Sequence, residues 1–342
     1  MNFFEILSEI EKVDPEVYGR LDSRRSVFKH MSGLGQKLSA AALPLAVGAI
    51  FNKAYAQTNA GLAVADVLTF ALKLEYLEMY FYQQRTALTG LSANNVTALS
   101  LIATDEANHV KFLRATLTSL NATVIADPTA AAFDFTAAKA GAPFADYRTN
   151  PATYLALAQS FEDTGVRAYK GAAPLSAIMA NPTVLTAALN IHSVEARHAS
   201  HIRAMRRAGA SNNTPSQGIP GSGTGLSAAP KSWISGTDNG GASPTYTAPI
   251  YGAGNNTGTA VYGNGTGSGV GTAPGVGVTF PAEDNVTQGG VALSTTTITS
   301  IPFPTGSTAF SEAFDEGLDV KTVATIANTF VVAGNTLFSV YL

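Results

Sequence analysis

A glutamate followed three positions later by a histidine occurs twice in this chain, as Glu106–His109 and Glu195–His198, each in a stretch whose apolar residues recur at helical spacing. The eight glutamates and four histidines beyond residue 56 would produce about 0.1 such pairs by chance. Residues three apart share one side of a helix, so a carboxylate and an imidazole can converge on one point. The face around Glu106 carries Leu99, Ile102, Ala103, Val110 and Leu113, and the face around Glu195 carries Ala188, Ile191, Ala199 and Ile202. Both glutamates therefore point into a helical core, where an unpaired carboxylate is costly.

Two more helical stretches each offer a core-facing glutamate. Glu75 has Leu68, Ala71, Leu72 and Met79 around it, and Glu162 has Leu155, Ala158 and Val166. A tyrosine follows each at seven residues, Tyr82 and Tyr169, two turns along the same face. Glu75 precedes Glu106 by 31 residues and Glu162 precedes Glu195 by 33, so the chain reads as a duplicated helical hairpin. Four carboxylates and two neutral imidazoles carry four negative charges, which two divalent cations would cancel. Glu78, flanked by Leu74 and Phe81, is an alternative to Glu75 in this set. A metal-free core of mutually satisfied Glu and His is the competing reading. His192 and His201 extend the row without an acidic partner and read as structural, and Asp163 as a supporting or surface group.

The helices are bounded by recognisable signals. Their expected spans are about 62–88, 93–120, from Pro151, and from Pro182 to Gly209. Asn150-Pro151 and Asn181-Pro182 each join a capping side chain to a proline in the first turn. Arg203, Arg206 and Arg207 suit the negative end of the last helix, and Gly209 stops it. About thirty residues, with Asp127-Pro128 and Gly141-Ala142-Pro143, separate the hairpins, predicting a mainly α four-helix bundle with one long crossover.

Composition changes sharply afterwards. Residues 57–210 hold six glycines, whereas 211–280 hold 17, with Ser, Thr, Asn and Pro and a single acid, Asp238. That segment reads as irregular, its Trp233, Tyr246, Tyr251 and Tyr262 laid on a surface. The remaining 281–342 read as a short α/β tail, with a β-prone run over Leu293–Ile298 and a helix over about 319–332 capped by Asp319. Glu283-Asp284, Glu312 and Asp315-Glu316 read as solvated turns.

Residues 1–56 form an address. Leu38–Phe51 is too short to span a bilayer, has basic residues before it and is followed by Ala54-Tyr55-Ala56, the layout of a cleavable signal. Ser23-Arg24-Arg25-Ser26-Val27-Phe28-Lys29 resembles the twin-arginine translocation signal, implying export of the folded protein to the periplasm or cell envelope, with Gln57 the expected mature terminus. No stable membrane span is expected after cleavage. A net charge of −3 gives no case for nucleic-acid binding, and the absence of cysteine excludes disulfides, thiolate metal sites and iron–sulfur clusters.

Residues 62–208 resemble the ferritin-like superfamily, and look most like its exported ferritin-like and desiccation-related members. The resemblance implies Glu75 and Glu162 as terminal ligands, Glu106 and Glu195 as bridging ligands, and His109 and His198 as one ligand to each of two Fe or two Mn ions. It places Tyr82 and Tyr169 where redox-active or supporting tyrosines occur. Asp105 matches a residue that supports the opposite histidine, whereas Val194 stands at its counterpart. The implied activity is reaction with O2 or peroxide, or oxidation of ferrous iron, in stress protection, in a homo-oligomer or a single chain. An envelope-associated scaffold with a structural or absent metal is the alternative.

Overall fold

The computed structural model describes residues 64–214, 216, 221, 223–255, 280–293 and 308–342. The twin-arginine segment, Tyr262 and nearly all of the Leu293–Ile298 run lie outside these residues.

Four long helices form where the apolar periodicity and the capping residues put them: α1 (Val64–Gln83), α2 (Ala93–Ser119), α3 (Pro151–Ala172) and α4 (Pro182–Ala208). Ser92 Oγ accepts from Asn95 N at 3.2 Å, Asn150 Oδ1 from Ala152 N at 3.0 Å, and Asn181 Oδ1 from Val184 N at 3.2 Å, so α2, α3 and α4 each satisfy a free first-turn amide. α1 ends sooner than the sequence suggests, and a 3-10 turn, Gln84–Ala87, replaces its last turn. α1 packs chiefly on α2 and α3 on α4, and the hairpins close around Leu72, Leu99, Leu113, Leu157 and Ile202. Burying each such side chain contributes about 1.5–3 kcal/mol.

The crossover from α2 to α3 is held down rather than looped free. Phe133 and Val331 form an antiparallel bridge, with Asp134 N donating to Phe330 O at 2.8 Å and Val332 N to Ala132 O at 3.0 Å. Phe135, Phe81, Phe161 and Phe330 pack edge to face beneath it.

The described parts of the glycine-rich segment and the tail dock on α3 and α4. They are irregular, with short 3-10 turns, a two-residue hairpin pairing β1 (Thr287–Gln288) with β2 (Val291–Ala292), and a helix α5 (Val320–Asn328) whose cap is Asp319 as expected. Tyr251, expected on the surface, is fully buried, while Trp233 and Tyr246 are exposed. The reading of the tail acids as solvated turns holds for Asp284 and fails for Glu283 and Glu316, which are buried. Arg167, itself fully buried on α3, holds Glu283: its Nε meets Glu283 Oε1 at 2.7 Å, and its guanidinium donates to the carbonyls of Gly252, Pro281 and Glu316, while the Glu316 carboxylate accepts from Asn285 Nδ2 at 2.8 Å and from Gln288 Nε2 at 2.5 Å. Glu312 is likewise engaged, by Lys231 Nζ at 2.7 Å and Trp233 Nε1 at 3.0 Å. At Gly171 the tail crosses so closely that a Cβ would lie 1.9 Å from Leu318 O. No described helix is long and apolar enough to cross a membrane.

Candidate metal centre

The repeated motif brings its six residues to one place. Glu75 comes from α1, Glu106 and His109 from α2, Glu162 from α3, and Glu195 and His198 from α4; all are buried, the four glutamates completely. His109 Nδ1 lies 3.2 Å from Glu75 Oε2, 3.2 Å from Glu106 Oε2 and 3.3 Å from Glu195 Oε1. His198 Nδ1 lies 3.0 Å from Glu106 Oε1 and 3.3 Å from Glu162 Oε2. Two sets of four donors result, Glu75/Glu106/His109/Glu195 and Glu106/Glu162/Glu195/His198, each with its donor atoms within 4.8 Å of one another. Glu106 and Glu195 belong to both.

The donors satisfy one another only in part: His109 Nδ1 pairs with Glu75 Oε2 and Glu106 Oε2. Among the described residues, Glu106 Oε1, Glu162 Oε2, both oxygens of Glu195 and His198 Nδ1 are buried with no hydrogen-bond partner. A buried polar atom left so is costly, and five around one point fit a site for cations. The oxygen and nitrogen donor set, without thiolate, suits the harder transition metals. Outside the cluster His198 Nε2 faces Asp105 Oδ2 at 3.2 Å, which holds a proton on Nε2 and leaves Nδ1 free to bind an ion.

Electrostatics agrees with a missing positive charge. Burial first, and then Glu195, push Glu106 up to about 7; burial, with Glu75 and Glu162 next among the charges that raise it, pushes Glu195 to about 8. Burial lowers the affinity of His198 for a proton, but the Glu162 and Glu106 carboxylates overcome it and raise the pKa to about 11. His109 is raised in the same way, by Glu106, Glu195 and Glu75. A cation in either set would supply the charge that these groups otherwise take as protons.

The tyrosines pair across the repeat. Tyr82 donates to Glu162 and Tyr169 to Glu75, each reaching into the other hairpin, and burial chiefly raises both phenol pKa values. Glu78 is buried but belongs to neither donor set; its carboxyl group lies over Gly165, where a Cβ would come 3.4 Å from Glu78 Oε1 and 3.3 Å from Glu195 Oε2. Gly165 occupies in the second hairpin the position that Glu78 occupies in the first, so the small residue makes room for the larger one. The signal was in the sequence, at three residues after Glu162, and went unread. His192 Nδ1 donates to Val166 O at 3.1 Å, and burial chiefly lowers its pKa and that of His201; neither histidine belongs to the donor sets. Asp163 is a buried supporting group, bound to Arg203 Nη2 at 2.5 Å and to the Tyr251 hydroxyl at 2.7 Å.

The model of the ferritin-like domain family matches residues 63–208. No curated protein and no solved structure matches the chain. The family match covers the two helical hairpins and all six converging donors, and residues 63–208 are a ferritin-like domain.

Proposed function

We propose that this chain is an exported dinuclear metal protein that reacts with dioxygen or peroxide, or oxidises ferrous iron, as part of stress protection. The observation that carries the reading is the pair of donor sets sharing Glu106 and Glu195, around which five buried polar atoms lack partners. In it Glu75 with His109 and Glu162 with His198 would hold one ion each, with Glu106 and Glu195 common to both donor sets. Two Fe or Mn ions held there would supply the two electrons that, with two protons, convert dioxygen to peroxide or peroxide to two waters.

The chain's own residues set the conditions for that exchange. The apolar bundle core excludes bulk water, so the charges of the cluster are felt strongly. Tyr82 and Tyr169 fix the rotamers of Glu162 and Glu75 and keep a proton at each carboxylate oxygen that they touch. Asp105 orients His198 and fixes its tautomer.

The test is metal analysis of the purified protein beside a Glu106→Gln, Glu195→Gln variant, with circular dichroism to show that both are folded. About two Fe or Mn per chain, lost in the variant, is expected. A folded wild-type protein that takes up no metal overturns the reading and leaves the bundle as a scaffold. The export step is supported by the Arg24-Arg25 signal; an envelope fraction whose N-terminus is Gln57, abolished by Arg24→Lys, Arg25→Lys, is the expected result.

A further inference from the structure

Beside the carboxylate cluster, toward the start of α1, lies a cavity of about 30 Å3 whose lining surface is apolar throughout. Its wall combines alanines with larger apolar residues, several of them in register with the cluster. Leu68 and Ala71 stand seven and four positions before Glu75 on α1, and Ala188 stands seven before Glu195 on α4. Ala168 and Ala172 come from α3, beside Tyr169. At a rise of about 1.5 Å per residue the cavity begins roughly one helical turn from the carboxylates. Tyr169 joins the two: its ring walls the cavity and its hydroxyl donates to Glu75. Ala71, Ala172 and Ala188 are half-buried, so the rim reaches the surface.

We propose that this cavity is a binding and entry site for dioxygen, which reaches the cluster past Tyr169; the proposal rests on the dinuclear reading above. The chemistry of the wall selects the ligand. A ferrous ion or a peroxide molecule entering it must shed its hydrogen-bonded water and finds no donor or acceptor in return. Dioxygen has no such bonds to lose and is small enough for the space. Four alanines from three helices keep the space open where any larger apolar residue would fill it.

The test has one arm that needs no metal. Crystals of the protein pressurised with krypton should show the gas against Ala71, Ala172 and Ala188, and lose it in Ala172→Leu; krypton bound elsewhere and absent from the cavity overturns the proposal. In the second arm the reduced protein is mixed rapidly with dioxygen or with hydrogen peroxide. Ala172→Leu is expected to slow oxidation by dioxygen roughly tenfold and leave oxidation by peroxide unchanged. An unchanged dioxygen rate, or an equal loss with both oxidants, overturns the access role. Ala188→Leu, on another helix, repeats both arms should Ala172→Leu fail to fold. A protein without redox metal defeats the dinuclear reading through the second arm alone, while krypton still reports on the cavity.

Discussion

The hydroxyl of Tyr82 donates its hydrogen bond to Glu162, a residue of the other hairpin, and Tyr169 returns the same bond to Glu75. Each of these glutamates meets a histidine of its own hairpin through one oxygen and the opposite hairpin's tyrosine through the other. The duplicated halves are thereby interlocked at their most buried point, and a change at one tyrosine is felt at the donor set of the opposite repeat.

Tyr82→Phe leaves Glu162 buried without that donor and is expected to destabilise the protein by about 1–3 kcal/mol. It should also weaken binding of the ion held by Glu162 and His198 by about 10–100-fold, the usual effect of removing a group that orients a ligand. Denaturant unfolding and metal titration check the two parts, and Tyr169→Phe should affect the other ion instead.

Glu75 and Glu78 are both buried on α1, yet only Glu75 lies in a donor set. Glu75→Gln is expected to reduce metal content by about one ion per chain, whereas Glu78→Gln should leave it intact. Burial and the carboxylates of Glu195 and Glu106 hold the Glu78 pKa well above the usual range. Removing its capacity to ionise should therefore raise the unfolding temperature of the metal-free protein at alkaline pH.

The metal-free protein should lose stability as pH rises. Glu106 and Glu195 titrate at about 7 and about 8 when folded against 4.5 ordinarily, so the native state retains protons that the unfolded chain has released. His198, raised from 6.5 to about 11, acts in the same direction: its contribution is complete below 6.5 and fades toward 11. The unfolding temperature measured with chelator should fall from pH 5 to pH 8. Metal affinity should rise over the same interval, because the cations displace these protons.

Asp163→Ala leaves the fully buried Arg203 guanidinium, which otherwise spans Asp163 and Asp238, with only the Asp238 carboxylate, and should cost about 3 kcal/mol. Asp238 and Tyr251 belong to the docked glycine-rich segment, so that segment should loosen first. Trp233, the single tryptophan of the chain, reports on it through its bond to Glu312, and its fluorescence should change below the main unfolding transition.

The four helices and their caps were legible because their determinants are local. The Asn150 and Asn181 caps act within three residues, and the apolar faces repeat every turn. The six donors were legible for the same reason, each Glu-x-x-His being held by one turn of one helix. The shortened end of α1 was not, since a 3-10 turn there continues the same pattern of residues.

Residue spacing alone thus determined the bundle, its duplicated hairpins and the inward direction of the six Glu and His donors, because helical periodicity and burial leave those side chains no other direction. The tertiary structure decided the rest. It chose the crossed tyrosine–glutamate pairs, Gly165 as the space for Glu78, and the docking of the tail through Arg167–Glu283 and Arg203–Asp163–Asp238. Those partners sit 35 to 116 residues apart for the arginine pairs, and a buried charge selects its counter-ion by position in space, for which sequence has no period.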